Sequence, residues 1–158
     1  MNSAALRPWL IRWLYLITLG HFAGGVLLAW FSNFSFFDHY HQSILDRFGD
    51  VSIHAHGLQV WWLSLFGATL QNLAIFMGVL TYVGSKQRSA FVWAWMIIGL
   101  ILWAPQDMLI SMRIDLWLHV WVDSFVLLLM LPPLIILWWV DRKPVVSRSH
   151  SVVLEFQE

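Results

Sequence analysis

The chain has 158 residues, of which 59% are hydrophobic and only 11% are charged. A soluble domain of this size leaves much of its surface in water, so this composition excludes an ordinary soluble domain and indicates a membrane protein. The formal net charge is zero, with nine basic and nine acidic residues, and no basic field exists to attract nucleic acid. The absence of cysteine excludes disulfides, thiolate metal sites and cysteine nucleophiles.

Four segments nearly free of Asp, Glu, Lys and Arg follow one another along the chain. The first three contain 25, 35 and 18 uncharged residues, and the fourth contains a single charge, Asp123. A charged side chain at bilayer depth is costly, and a helix needs roughly 20 apolar residues to cross the hydrocarbon. The segments therefore predict four membrane spans, near residues 9–31, 58–83, 90–108 and 116–140.

These spans predict an all-α fold, an integral membrane four-helix bundle over residues 1–140 with a cytoplasmic tail over residues 141–158. Seven of the nine Lys and Arg residues lie before or at the start of span one, between spans two and three, or after span four. Because cytoplasmic loops carry an excess of Lys and Arg, we predict that both termini face the cytoplasm. The expected location is the bacterial inner membrane. The expected partners are the lipid bilayer and either another membrane protein or further copies of the chain.

The loop between the first two spans, about residues 32–57, is predicted to contain a short amphipathic helix on the outer membrane interface. Its apolar residues recur at spacings of three and four, which match the helical repeat: Phe36, Phe37, Tyr40, Ile44, Leu45 and Phe48. In span one, Gly20 and Gly24 have the small-xxx-small spacing that lets a second helix approach closely. We expect a close helix contact there, beside His21.

Polar side chains within the spans carry most of the functional information, because hydrocarbon offers them no hydrogen-bond partner and they usually turn inward. At a rise of about 1.5 Å per residue, nearly all of them fall in the outer half of the bundle, and Gln71 and Asn72 are the exceptions. This asymmetry predicts an outward-facing pocket for a small ligand. Its predicted lining residues are His21, Gln59, Trp103, Gln106, Asp107, His119 and Asp123.

Two histidine patterns suggest specific chemistry. His119 and Asp123 are four residues apart on one helical face, so the carboxylate can accept a hydrogen bond from the imidazole and fix its tautomer. That pair fits a polar clasp between helices, a general base, a proton relay or a pair of metal ligands. His54 and His56 form an H-x-H unit that suits zinc or copper, or they are ordinary histidines of a wet loop. A haem between His21 and His119 requires the two to lie at one depth. The sequence indicates no particular cofactor.

The general layout offers a resemblance to a known family. Span one has a glycine midway, within residues 15–20, and an amphipathic outer loop follows it. The second span contains Gly78 and leads through a short basic turn, residues 86–90, into span three. In these features the chain resembles the DoxX-like group of small four-helix membrane proteins over roughly residues 10–130. Members often have an acidic residue in span two where this chain has Gln71. The group includes a subunit of a quinone-linked oxidoreductase, and the resemblance implies no site residues here.

Three functions remain open from the sequence. We favour a binding or accessory subunit whose pocket holds a small lipophilic ligand or contacts a partner protein. The first alternative is a metal-binding protein for copper or zinc on the extracytoplasmic side. The second is a membrane enzyme acting on a lipid or a quinone, with His119 as the base and Asp123 orienting it. No serine-nucleophile motif or metal-hydrolase signature is present, so catalysis is the less favoured expectation.

Overall fold

The computed structural model describes residues 3–49, 52 and 54–142, and every regular element in these ranges is helical. Four long helices are joined by one segment with a short helix and two tight turns. The long helices are α1 (Ser3–Phe31), α3 (Ala55–Gln87), α4 (Ala90–Met112) and α5 (Trp117–Asp141), and the short helix is α2 (Asp38–Leu45). Single 3₁₀ turns at Ser35–Phe37 and Asp46–Phe48 flank α2.

The prediction of four spans is confirmed by the length and composition of the helices. Each of α1, α3, α4 and α5 is long and apolar enough to cross a membrane. The helices extend up to six residues beyond the predicted spans, because a helix does not end where its hydrocarbon-facing stretch ends. The predicted orientation, with cytoplasmic termini, stays a prediction. The predicted tail lies outside the described residues from position 143 onward.

The turn between α3 and α4 shows how local sequence ends one span and begins the next. Arg88 adopts a left-handed conformation with φ of 48°, and its backbone N–H bonds to the carbonyl of Gly84, which closes the end of α3. The next residue, Ser89, caps α4, since its side-chain oxygen accepts a hydrogen bond from the backbone N–H of Val92 at 3.4 Å. The result is a hairpin with almost no loop, which places Gly84 against the ring of Trp93.

The four long helices pack as two hairpins. α1 packs along α3 and α4 along α5, while α1 with α5 and α3 with α4 share smaller contacts. The close approach of α1 to α3 occurs where Gly25 faces Gly67: a Cβ at Gly67 would lie 2.4 Å from the backbone nitrogen of Ala29. The expectation of a close contact at Gly20 and Gly24 is wrong, because a Cβ at either position would meet nothing within 4 Å.

The two clusters of packed hydrophobic side chains lie toward one end of the bundle. We call this end the terminal end, where α1 begins, α3 turns into α4 and α5 ends; the opposite end, with α2 and the α4–α5 turn, is the loop end. The clusters consist of Leu10, Ile11, Leu14, Trp93, Met96, Leu134 and Leu137, and of Ile17, Met77 and Met130.

A polar network, here called the terminal clasp, joins all four long helices beyond this core. Arg7 forms two hydrogen bonds of 2.9 Å with the two carboxylate oxygens of Asp141 and a third of 2.9 Å with the carbonyl of Ser85. The indole N–H of Trp93 donates to Asp141 Oδ2, also at 2.9 Å. The Asp141 side chain is fully buried. Position 141, which was expected to begin the tail, is therefore the last residue of α5 and part of the packed bundle.

Candidate functional site

The short helix α2 reaches α5 through one side chain at the loop end. α2 packs against α3, and the hydroxyl of Tyr40 lies 2.7 Å from Nε2 of His119 near the start of α5. The two rings are also stacked, with centroids 5.8 Å apart and planes inclined by 13°. The contact is geometrically specific, because it combines a short hydrogen bond with ring stacking.

The phenol of Tyr40 stays neutral at ordinary pH, so its hydroxyl can donate to Nε2 of His119 or accept from it, according to the imidazole tautomer. Burial of the phenol, with a smaller contribution from the carboxylate of Asp107, raises the pKa of Tyr40 to about 12. The bond therefore fixes the position of the His119 ring against α2 in either tautomer.

Asp123 is the most deeply placed acidic group at the loop end. Only 5% of its surface is exposed, and its Oδ2 atom has no hydrogen-bond partner within the described residues. Asp107 of α4 lies close enough to interact electrostatically with both Asp123 and Tyr40. No hydrogen bond of the described chain joins His119 to Asp123, although they are four residues apart. Two carboxylates and a tyrosine–histidine pair thus share one region.

Further polar atoms at the loop end are buried without partners among the residues that the structure describes. Both amide atoms of Gln59, in the second turn of α3, have no hydrogen bond to these residues, and neither does Nδ1 of His41. Leaving such a group unsatisfied costs about 1–3 kcal/mol. At the terminal end, within the described ranges, the side chain of Thr81 alone is in this condition. Within the described residues, unsatisfied polar groups are therefore concentrated at the end of the bundle that lacks the two hydrophobic clusters.

The predicted metal ligands do not converge. His54 is exposed, and its backbone N–H bonds to the side chain of Ser52. His56 instead contacts His41 edge to face, with ring centroids 4.9 Å apart. His41 is buried and bonded through Nε2 to the carbonyl of Ser32 at 2.7 Å. In the part of the chain that the structure describes, no group of three or more His, Asp or Glu side chains could hold a metal ion.

The other predicted pocket residues have contacts of their own. His21 bonds through Nδ1 to the carbonyl of Ile17 on its own helix, at 2.9 Å, and no hydrogen bond within the described residues links it to His119 or Asp123. Trp103 and Gln106 line an open groove of about 510 Å³ along one face of α4. The amide of Gln106 donates to the carbonyl of Leu102 in that same helix.

Asp107 connects the groove to the buried cluster. It lines the groove together with Gly99, Leu102, Trp103, Gln106 and Ile110, all of them residues of α4. It also interacts electrostatically with Asp123 and Tyr40. The structure therefore brings together Asp107, His119 and Asp123 of the predicted set, and Gln59 contributes unsatisfied atoms at the same end of the bundle.

The sequence analysis missed Tyr40 as a site residue, because it assigned Tyr40 to the apolar face of a surface helix. A signal was present, since Tyr40 stands between His39 and His41 and a buried tyrosine hydroxyl usually finds a partner. That partner, His119, lies 79 residues away, and nothing local to Tyr40 points to it.

Comparisons of the chain with protein-family models, curated proteins and solved structures find no match. The resemblance to DoxX-like proteins accordingly stays a prediction from the sequence pattern, and function is argued from the geometry of the loop end.

Proposed function

We propose that this protein is a membrane-embedded binding protein that holds a small lipophilic ligand at the loop end of its bundle. One observation carries the proposal: polar atoms of the loop end, above all Oδ2 of Asp123 and both amide atoms of Gln59, are buried without partners in the part of the chain that the structure describes. Buried polar groups are almost always satisfied in folded proteins, so orphans gathered in one place are typical of a site completed by a ligand. The apolar body of that ligand would lie along the adjoining apolar surface of the bundle, with its polar head at these groups.

The contacts of His119 favour binding over acid–base catalysis. Its Nε2, the nitrogen that would have to act as a base, is already engaged in a hydrogen bond with the hydroxyl of Tyr40. The carboxylate of Asp123 makes no bond that would orient the ring. A zinc site would need at least three protein ligands, whereas His54 and His56 have separate surroundings. Ligand binding, in contrast, requires no change in the existing hydrogen bonds of the loop end.

The proposal includes an orientation in which the loop end, with α2 at the membrane interface, faces the extracytoplasmic side. The excess of Lys and Arg beside the other ends of the spans supports it. Because the chain has no cysteine, Gln42→Cys in α2 and Gln87→Cys at the end of α3 give single labelling sites. A membrane-impermeant maleimide should label position 42 in intact cells and position 87 only after the membrane is opened. The reverse pattern would invert the orientation.

Binding can be tested with a neutral lipophile, N-phenyl-1-naphthylamine, and the protein in nanodiscs. We expect saturable energy transfer from the twelve tryptophans of the chain to the probe, above that of nanodiscs without protein. The double variant Tyr40→Phe/Gln59→Leu removes neutral hydrogen-bonding groups, and its affinity should fall about 10-fold, equivalent to about 1.4 kcal/mol.

The matched control is Asn72→Leu, since Asn72 is an exposed amide of the same helix α3 and its loss should leave the affinity unchanged. Probe uptake that never saturates, or that is equal in all three proteins, would refute the proposed function.

A further inference from the structure

The two buried aspartates of the bundle have different surroundings. Asp141 at the terminal end is neutralised by Arg7 and receives a third hydrogen bond from Trp93. Asp123 is buried to a similar degree, yet its Oδ2 has no partner within the described residues. The fold therefore satisfies the carboxylate of Asp141 fully, whereas Oδ2 of Asp123 is left without a partner among the described residues.

No basic side chain of the described chain compensates Asp123. The one ion pair in the described ranges is that of Arg7 with Asp141. The basic residues of the loop end, Arg47 and Arg113, are both exposed. Among the described residues, a second carboxylate, Asp107, acts electrostatically on Asp123. A charge within a membrane-spanning segment is costly unless it is paired, and two like charges add to that cost. A positively charged ligand group would compensate the negative charge of both carboxylates at once.

The shape of the neighbourhood indicates where the rest of such a ligand lies. Asp107 lines the open groove along α4, whose other walls include Leu102, Trp103 and Ile110. This groove would take an apolar or aromatic body, and it opens on the side of the helix, within reach of the bilayer. Aromatic rings such as those of Trp103 and Tyr40 also attract cations, by about 0.5–2 kcal/mol.

We propose that the site selects a lipophilic organic cation, a substituted ammonium or phosphonium ion, whose charge lies between Asp107 and Asp123 and whose apolar body lies in the α4 groove. This inference rests on the proposed function and adds the chemical class of the ligand. It concerns charge, whereas the neutral probe above reports on the site irrespective of charge.

The test compares two ions of one shape and opposite charge, tetraphenylphosphonium and tetraphenylborate, by equilibrium dialysis against the protein in nanodiscs of zwitterionic phosphatidylcholine. We expect saturable binding of the phosphonium at one ion per chain and no saturable binding of the borate. Asp123→Asn and Asp107→Asn, which remove charge with little change of shape, should each weaken phosphonium binding by at least about 10-fold.

The matched control is Asp115→Asn. Asp115 is an exposed aspartate in the α4–α5 turn with φ of 55°, a conformation that asparagine tolerates well. Its phosphonium affinity should equal that of the unmodified chain. The neutral probe, applied to every variant, shows whether the site is still folded.

Each outcome decides a different question. Phosphonium affinity that is unchanged in Asp123→Asn and Asp107→Asn, or equal saturable binding of both ions, overturns the cation inference. If the neutral probe still binds saturably in that case, the proposed function stands with a ligand of another class. If neither the ions nor the neutral probe binds saturably, the proposed function fails together with the inference.

Discussion

The hydroxyl of Tyr40 bonds to His119 and its ring stacks on that of His119, which joins α2 to α5. Burial of the phenol raises the pKa of Tyr40 from its ordinary value of 10.0 to about 12, with Asp107 adding to the shift. Since the folded protein holds this proton more tightly than the unfolded chain, the resulting stability is fully present below about pH 10 and is lost as pH rises toward 12.

The phenol of Tyr40 should therefore ionise at a higher pH than the phenol of an ordinary tyrosine. The chain has three tyrosines, so we expect the absorbance titration near 295 nm to contain one component with a midpoint close to 12. That component should be missing in Tyr40→Phe, and the difference between the two titrations isolates it. A difference curve centred near the ordinary value of 10.0 would mean that Tyr40 is solvated and that α2 is not held against α5.

Residue-scale chemistry was only partly predictable from the sequence. His119, Asp123 and Asp107 were found because depth in a span follows from counting residues at a constant rise. The partner of each group was not found, because side chains of one helix meet those of another according to helix rotation and crossing. The expected bond between His119 and Asp123 illustrates this: they share a helix face, but the imidazole bonds to Tyr40 of α2 instead.

At the scale of elements, the contact between α1 and α3 depends on two glycines. The carbonyl of Gly67 and the backbone of Gly25 approach so closely that a Cβ at Gly25 would lie 2.8 Å from that oxygen. The sequence pattern drew attention to Gly20 and Gly24 instead. Spacing shows which small residues share a face, but it does not show which face meets a neighbour. The lengths of the helices were predictable because the hydrocarbon sets them.

Substituting alanine at two glycines should therefore change stability in opposite directions. In Gly67→Ala the new Cβ meets the backbone of Ala29, and overpacking of this kind costs about 1–3 kcal/mol. In Gly20→Ala the methyl group enters open space, and the better helix propensity of alanine adds up to about 1 kcal/mol. Thermal unfolding in detergent, followed by circular dichroism, measures both. Equal melting temperatures would show that α1 and α3 do not cross at Gly67.

Across the whole molecule, the two ends of the bundle differ in the interactions that stabilise them. The terminal end has the hydrophobic core and the terminal clasp, whereas most buried polar residues of the described chain lie at the loop end: Ser32, His41, Ser111 and Asp123. A core made of apolar side chains and satisfied polar groups provides stability. The unsatisfied groups at the other end reduce it, which is the usual cost of a binding site.

The asymmetry of polar residues was visible in the sequence, but the clasp was not. Arg7 and Asp141 are 134 positions apart, and each looked like a charge that marks the end of a span.

This division of roles predicts that damage to the clasp lowers stability without changing ligand affinity. Arg7→Gln leaves the carboxylate of Asp141 buried and uncompensated, which typically costs about 3–5 kcal/mol. Arg12→Gln, at an exposed position on the same helix, should change stability by no more than about 0.5 kcal/mol. Removing both partners, in Arg7→Leu/Asp141→Leu, should recover part of the loss, because no unpaired charge then remains.

The measurements are thermal unfolding and the binding of N-phenyl-1-naphthylamine, the latter made well below the melting temperature of each variant. We expect a large drop in melting temperature for Arg7→Gln with the probe affinity of the unmodified chain, since the clasp and the loop end share no side chain. An affinity that falls in proportion to the lost stability would instead mean that the bundle responds as one unit. The loop-end geometry would then depend on packing at the far end of α1 and α5.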